Sequence, residues 1–195
     1  MRIAATAALA VLAGVALQAK SPLKVDDSTQ VTVCMQSLAD FRLTMQAQGI
    51  AAKMFAGAGV KIAWHDMSGC PARGILISLS EHAPASFHPG AMAYAMPYEG
   101  AHIVLFYDRI AVSGRALLPH LMAHVMVHEI THILQGVDRH SEDGVMKAHW
   151  SQQDFNRMIG KSLDFTEGDV EMIHNGLLAR AARRDTAEAV MIAMR

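Results

Sequence analysis

His128-Glu129-Ile130-Thr131-His132 is the stretch on which the reading of this chain turns. On a helix, positions four apart share a face, so both imidazoles can point at one metal ion. Glu129 falls beside them, where it can take a proton from a metal-bound water. The flanking Val125-Met126-Val127 and Ile130 to Leu134 are apolar and suit a helix, which predicts that the motif lies in a buried one. The plain alternative is a helix that carries two histidines and a glutamate by chance.

The chain continues Ile133-Leu134-Gln135-Gly136-Val137-Asp138-Arg139-His140-Ser141-Glu142-Asp143-Gly144-Val145-Met146. Gly136 is a natural helix terminator, because glycine tolerates the left-handed conformation just past a helix end. The chain can then turn back and bring His140 to the same ion. Three protein ligands leave a fourth position for water, the pattern of a catalytic zinc site rather than a closed structural one. Gly144-Val145-Met146 can form a turn beneath the metal.

The run from His128 to Met146, with Trp150 just beyond, resembles the metzincin family of zinc peptidases, especially its matrixin type. Those proteins carry HExxHxxGxxH, often followed by serine, then a methionine turn under the zinc. His140-Ser141 looks like the third ligand and its serine, and Met146 like the turn methionine. The spacing departs from the family's. Gln135 stands where the family's glycine falls, with Gly136 one later. Asp138 stands where its third ligand falls, with His140 two later. Some members use aspartate there, so Asp138 competes as the alternative ligand. His140 is preferred because Ser141 follows it, a loop two residues longer is easily accommodated, and imidazole is the commoner zinc ligand. Otherwise Asp138 is a solvated turn residue and Met146 is core filling in a chain with 14 methionines.

The resemblance implies an α+β fold: a twisted mixed sheet, two long helices, and a cleft along an edge strand. By that analogy Ala91 to Met96 is the edge strand, where an extended peptide can pair its backbone. It also implies a secreted Zn²⁺-dependent endopeptidase with His128, His132 and His140 as ligands, Glu129 as general base, and a peptide or protein as substrate. A second hypothesis is a non-catalytic exported zinc-binding protein. A third is a metal-dependent hydrolase of a non-peptide amide. Tyr94, Tyr98 and Tyr107 are the candidates for a residue assisting the oxyanion.

The other histidines fit structural roles. A helix drifts by roughly 40° over each four-residue step, so His120 points away from the metal. His124 and His128 make a second pair, but Val125-Met126-Val127 between them offers no base, and His124 reads as a supporting or core residue. Glu167 and Glu171 read as helix-start charge rather than as a distant carboxylate ligand.

Residues 1–19 match a secretory signal peptide. Met1-Arg2 precedes an apolar stretch from Ile3 to Leu17 and a small-residue exit at Ala19. The stretch is short for a membrane span, which needs about twenty apolar residues, and no later segment is long and apolar enough. Residues 20–195 are one domain by length, which the resemblance makes a metalloprotease-like catalytic domain. The two cysteines, Cys34 and Cys70, make an even count in an exported chain and suggest one disulfide. With 52% hydrophobic residues, 18% charged and a net charge of −1, the chain has a globular balance and no basic run to suggest nucleic acid.

Strands are predicted at Val31 to Met35, Val60 to Trp64, Ile75 to Leu79, Ala91 to Met96 and Ile103 to Tyr107. Pro97 to Gly100 reads as the turn joining the last two. Ser37 to Asp40 is a helix-start pattern, followed by an apolar stripe through Leu38, Phe41, Met45, Ala52 and Phe55 to Gly57 or Gly59. The metal helix runs from Leu117 to Gln135. Ser151 and Thr166, each with aspartate three residues on, start two later helices.

Overall fold

The computed structural model describes residues 29–36, 38, 40–96 and 101–193. The leader at 1–19 and the turn at 97–100 lie outside the described residues. Five strands form one sheet: β1 (Gln30–Met35), β2 (Lys61–Asp66), β3 (Ile75–Ser80), β4 (Ala93–Ala95) and β5 (His102–Phe106). Among the described residues five α-helices accompany it, α1 (Phe41–Gly57), α2 (Tyr107–Ala111), α3 (Leu118–Gln135), α4 (Gln152–Gly160) and α5 (Glu167–Ala193), with a short 3-10 turn at Met67–Gly69.

The strand order is β2-β1-β3-β5-β4, parallel throughout except for β4, which runs antiparallel to β5. The fold is therefore α+β with a mixed sheet. Parallel neighbours need a long crossover, and α1 supplies the one between β1 and β2. The central strands bury one face fully and the other in part: Thr32, Leu76, Ser78 and Val104, on the second face, are only partly covered. Val33, Ile75, Ile77, Ile103 and Leu105 are all fully buried.

Local chemistry sets the helix starts. Asp40 caps α1 by accepting from the Leu43 N–H at 3.1 Å. Pro119 sits in the first turn of α3, where a missing N–H costs nothing. Ser151 and Asp154 close a reciprocal capping box on α4. Burial would raise the Asp154 carboxyl, but hydrogen bonds from Lys147 and Ser151 outweigh it and hold the group down at about 2.

Three expectations need correction. The buried face of α1 is Leu43, Ala47, Ala51, Met54 and Phe55, while Phe41 and Met45 are exposed. Ala47 and Ala51 are fully buried on this helix, which packs against α3 and β2. The edge strand is Ala93–Ala95, shorter than Ala91 to Met96. The Ala91 N–H turns back to the His88 carbonyl, and Arg109 takes the Ala91 carbonyl, so neither group is left for the sheet. Tyr107 begins α2 instead of ending β5.

Helix α3 packs between α1 and α5 and against β4 and β5. Its residues from Leu121 to Leu134 are buried, which explains a sequence apolar nearly all round. α5 comes so close that a Cβ on Gly176 would run into the Leu134 carbonyl oxygen. Among the described residues no helix is long and apolar enough to cross a membrane.

A disulfide joins Cys34 of β1 to Cys70, just after β2. Gly74 packs against it, with space for a Cβ only 2.7 Å from the Cys70 sulfur and 3.0 Å from that of Cys34. The bridge spans 36 residues. Chain-entropy arithmetic for that loop gives about 4 kcal/mol of stabilisation. The double variant Cys34→Ser/Cys70→Ser is expected to lose roughly that much in urea unfolding. An unchanged midpoint would show that the bridge contributes nothing.

Candidate metal centre

Helix α3 carries His128, Glu129 and His132 on the turn before its end. Gly136 terminates it in the left-handed region, at φ 70°, with its N–H bonded to the His132 carbonyl. The following loop brings His140 back over the helix. One ligand-capable atom from each of His128, His132 and His140 can be chosen so that all lie within 4.8 Å of one another. Ring centroids lie 4.7 Å apart for His128 and His132, 5.2 Å for His128 and His140, and 5.0 Å for His132 and His140.

Hydrogen bonds fix which nitrogens face the centre. His128 Nδ1 lies 2.9 Å from the Val145 carbonyl, and His132 Nδ1 lies 3.1 Å from the Val137 carbonyl. A carbonyl only accepts, so each Nδ1 must carry the hydrogen. Both Nε2 atoms then present bare lone pairs, and they face one another at 3.0 Å. Two acceptors at that distance repel unless a cation shares them. Zinc–nitrogen bonds of about 2.0–2.1 Å at a tetrahedral angle place two nitrogens roughly 3.3 Å apart. The donor set therefore fits a zinc ion, with outer bonds of the kind that orient metal-binding histidines.

Electrostatics agree with a ligand role. Burial drives the His128 pKa down to about 4 and lowers that of His132 as well. Both rings are neutral near pH 7, the form that binds metal. Burial, with the Asp138 charge adding, pushes Glu129 up to about 8. A divalent cation beside it acts in the opposite direction and favours the carboxylate.

Asp138 lines the same hollow as the three histidines, and its charge reaches His128, His132 and Glu129. Its carboxylate is not part of the three-residue cluster. Met146 and Val145 are fully buried. Gly144 turns the chain there at φ 78°, where a Cβ would strike the Asp164 carbonyl oxygen. Trp150 sets its ring edgewise to His128 at 5.7 Å. His124 is satisfied within the core: Nδ1 donates to the His120 carbonyl at 2.7 Å, and Nε2 accepts from the Leu163 N–H at 3.0 Å.

Two hollows share Glu129, His128 and His140 in their linings. One, of about 510 Å³, is walled by Phe87 and by β4 with Met96. The other, of about 420 Å³, is walled by Met92, Val125, Trp150 and Phe155, with His88, Lys147 and His149 also lining it. Tyr94 lines the first; Tyr107 packs on the core at the start of α2; Tyr98 lies outside the described residues. Sequence reasoning passed over Phe87 and Phe155 as wall residues, because no local pattern marks an aromatic that the fold later brings to a cleft. It read Asp169 only as the partner of Thr166 at a helix start, whereas the carboxylate is fully buried and is also bonded to Ser141.

No family model and no curated protein matches this sequence. Solved structures do match the fold. An archaemetzincin from Methanopyrus kandleri superposes with a TM-score of 0.55 at 13% identity, over 81% of this chain and 99% of that one. An archaemetzincin from Archaeoglobus fulgidus, solved in complex with malonate, gives 0.50 at 16% identity, over 73% of this chain and 99% of that one. At these identities the likeness is one of fold.

Proposed function

We propose that the chain is an exported zinc-dependent endopeptidase, with His128, His132 and His140 holding the ion and Glu129 as general base. The observation that carries this is the pair of bare Nε2 atoms aimed at each other at 3.0 Å, with Glu129 beside them in an open cleft. The archaemetzincin-like fold supports it, as does the sequence likeness to metzincins, in which Met146 takes the part of the methionine beneath the zinc.

When bound, zinc supplies Lewis acidity, lowering the pKa of a water to about 7 and polarising a carbonyl. Glu129 takes a proton on a carboxylate oxygen and returns it to the departing amine nitrogen. Its burial raises its proton affinity and so favours holding that proton between the two events. β4 ends the sheet and lines the hollow beside Glu129, so an extended substrate can add a strand to it. A purely structural zinc site has no need of a base and usually fills all four positions with side chains. Export rests on the pattern of residues 1–19 and on the disulfide, which persists in oxidising compartments.

The test is metal content together with cleavage of a random peptide library. One zinc per chain and cleavage abolished by chelator, then restored by zinc, are the expected results. Zinc without cleavage would leave only a binding protein. Zinc near zero after reconstitution would remove the site altogether.

A further inference from the structure

Asp169, on the first turn of α5, is a fully buried carboxylate. A buried charge is costly unless its oxygens are satisfied, and these two are satisfied by different parts of the fold. Oδ2 accepts from the Thr166 N–H at 3.1 Å and the Thr166 hydroxyl at 2.7 Å, closing the start of α5. Oδ1 accepts from the Ser141 hydroxyl at 2.5 Å and from Arg139 Nη1 at 3.3 Å. Ser141 and Arg139 are the two neighbours of His140. The Asp169 backbone carbonyl also accepts from Gln135 Nε2 at 3.3 Å, at the end of α3. One residue of α5 thus grips the 136–141 loop where it leaves α3 and again where it delivers His140.

That matters because His140 lacks the support its fellow histidines have. His128 and His132 each donate Nδ1–H to a backbone carbonyl, whereas the His140 residue is exposed and among the described residues no carbonyl accepts from its ring. Without a ring bond, the loop backbone must fix its position.

We infer that Asp169 is a positioning residue for the metal centre, acting through Ser141 and Arg139 to hold His140 in place before the ion arrives. This rests on the zinc reading given above. A charge-assisted bond to each neighbour removes freedom that the loop would otherwise lose on binding metal. The Oδ1 arm therefore governs metal affinity, and the Oδ2 arm governs the stability of α5.

The two arms are separable by mutation. Zn²⁺ affinity is measured by chelator competition, and the melting temperature is taken on metal-free protein. Ser141→Ala is expected to weaken Zn²⁺ binding by about tenfold or more, the usual cost of losing an outer partner. Ser141→Thr, which keeps the hydroxyl, restores it. Thr166→Ala lowers the melting temperature and leaves Zn²⁺ affinity in place. Ser141→Ala binding Zn²⁺ as tightly as the parent overturns the inference, as does Thr166→Ala weakening Zn²⁺ equally. A parent protein that binds no Zn²⁺ overturns the zinc reading itself, so the two failures are told apart.

Discussion

Glu129→Gln is expected to keep its zinc and to lose peptide hydrolysis by about a thousandfold, within the range that a positioned general base contributes. The amide preserves the size of the side chain, so the rings of His128 and His132 keep their bonds to Val145 and Val137. It cannot take up a proton near neutral pH. Glu129 is the carboxylate that lines both hollows beside the three histidines. Metal analysis and library cleavage on one preparation separate the two properties. Full activity in the variant would remove Glu129 from the chemistry, and lost zinc would make it a structural residue of the site.

His140→Ala is expected to weaken zinc binding by more than about a hundredfold, the upper end of what losing an outer partner costs, because on the proposed reading it removes a direct ligand. Asp138→Ala is expected to cost much less. Asp138 lends a favourable charge near the centre, while His140 belongs to the cluster that can converge on one point. Chelator competition on both variants reads the ranking directly. The reverse order would make Asp138 the third ligand and His140 a bystander on the loop.

What the sequence made legible was local. The four-residue spacing of His128 and His132 follows from helix geometry alone, and Gly136 marked the helix end by its conformational freedom. Most strand positions followed from β-branched runs, and ends moved by up to two residues, as at Ala91, where loop hydrogen bonds competed. The face of α1 was misjudged because Phe41 and Met45 weigh heavily in any apolar stripe. The packing selects the small Ala47 and Ala51 instead. The short α2 carries too few residues to show a period. Thr166 with aspartate three residues on announced a helix start. That the same carboxylate also reaches Ser141, 28 residues earlier, had no local signature. Such a partnership is created by the fold.

Helix α5 is fastened at several levels rather than at one. A Cβ on Gly176 would meet the Leu134 carbonyl oxygen, His174 Nε2 lies 2.8 Å from the Ala58 carbonyl, and Arg180 donates to the Ile133 carbonyl at 3.4 Å. A larger side chain at position 176 would therefore wedge α5 away from the helix that carries His128 and His132, with Asp169 carried along on the same rod.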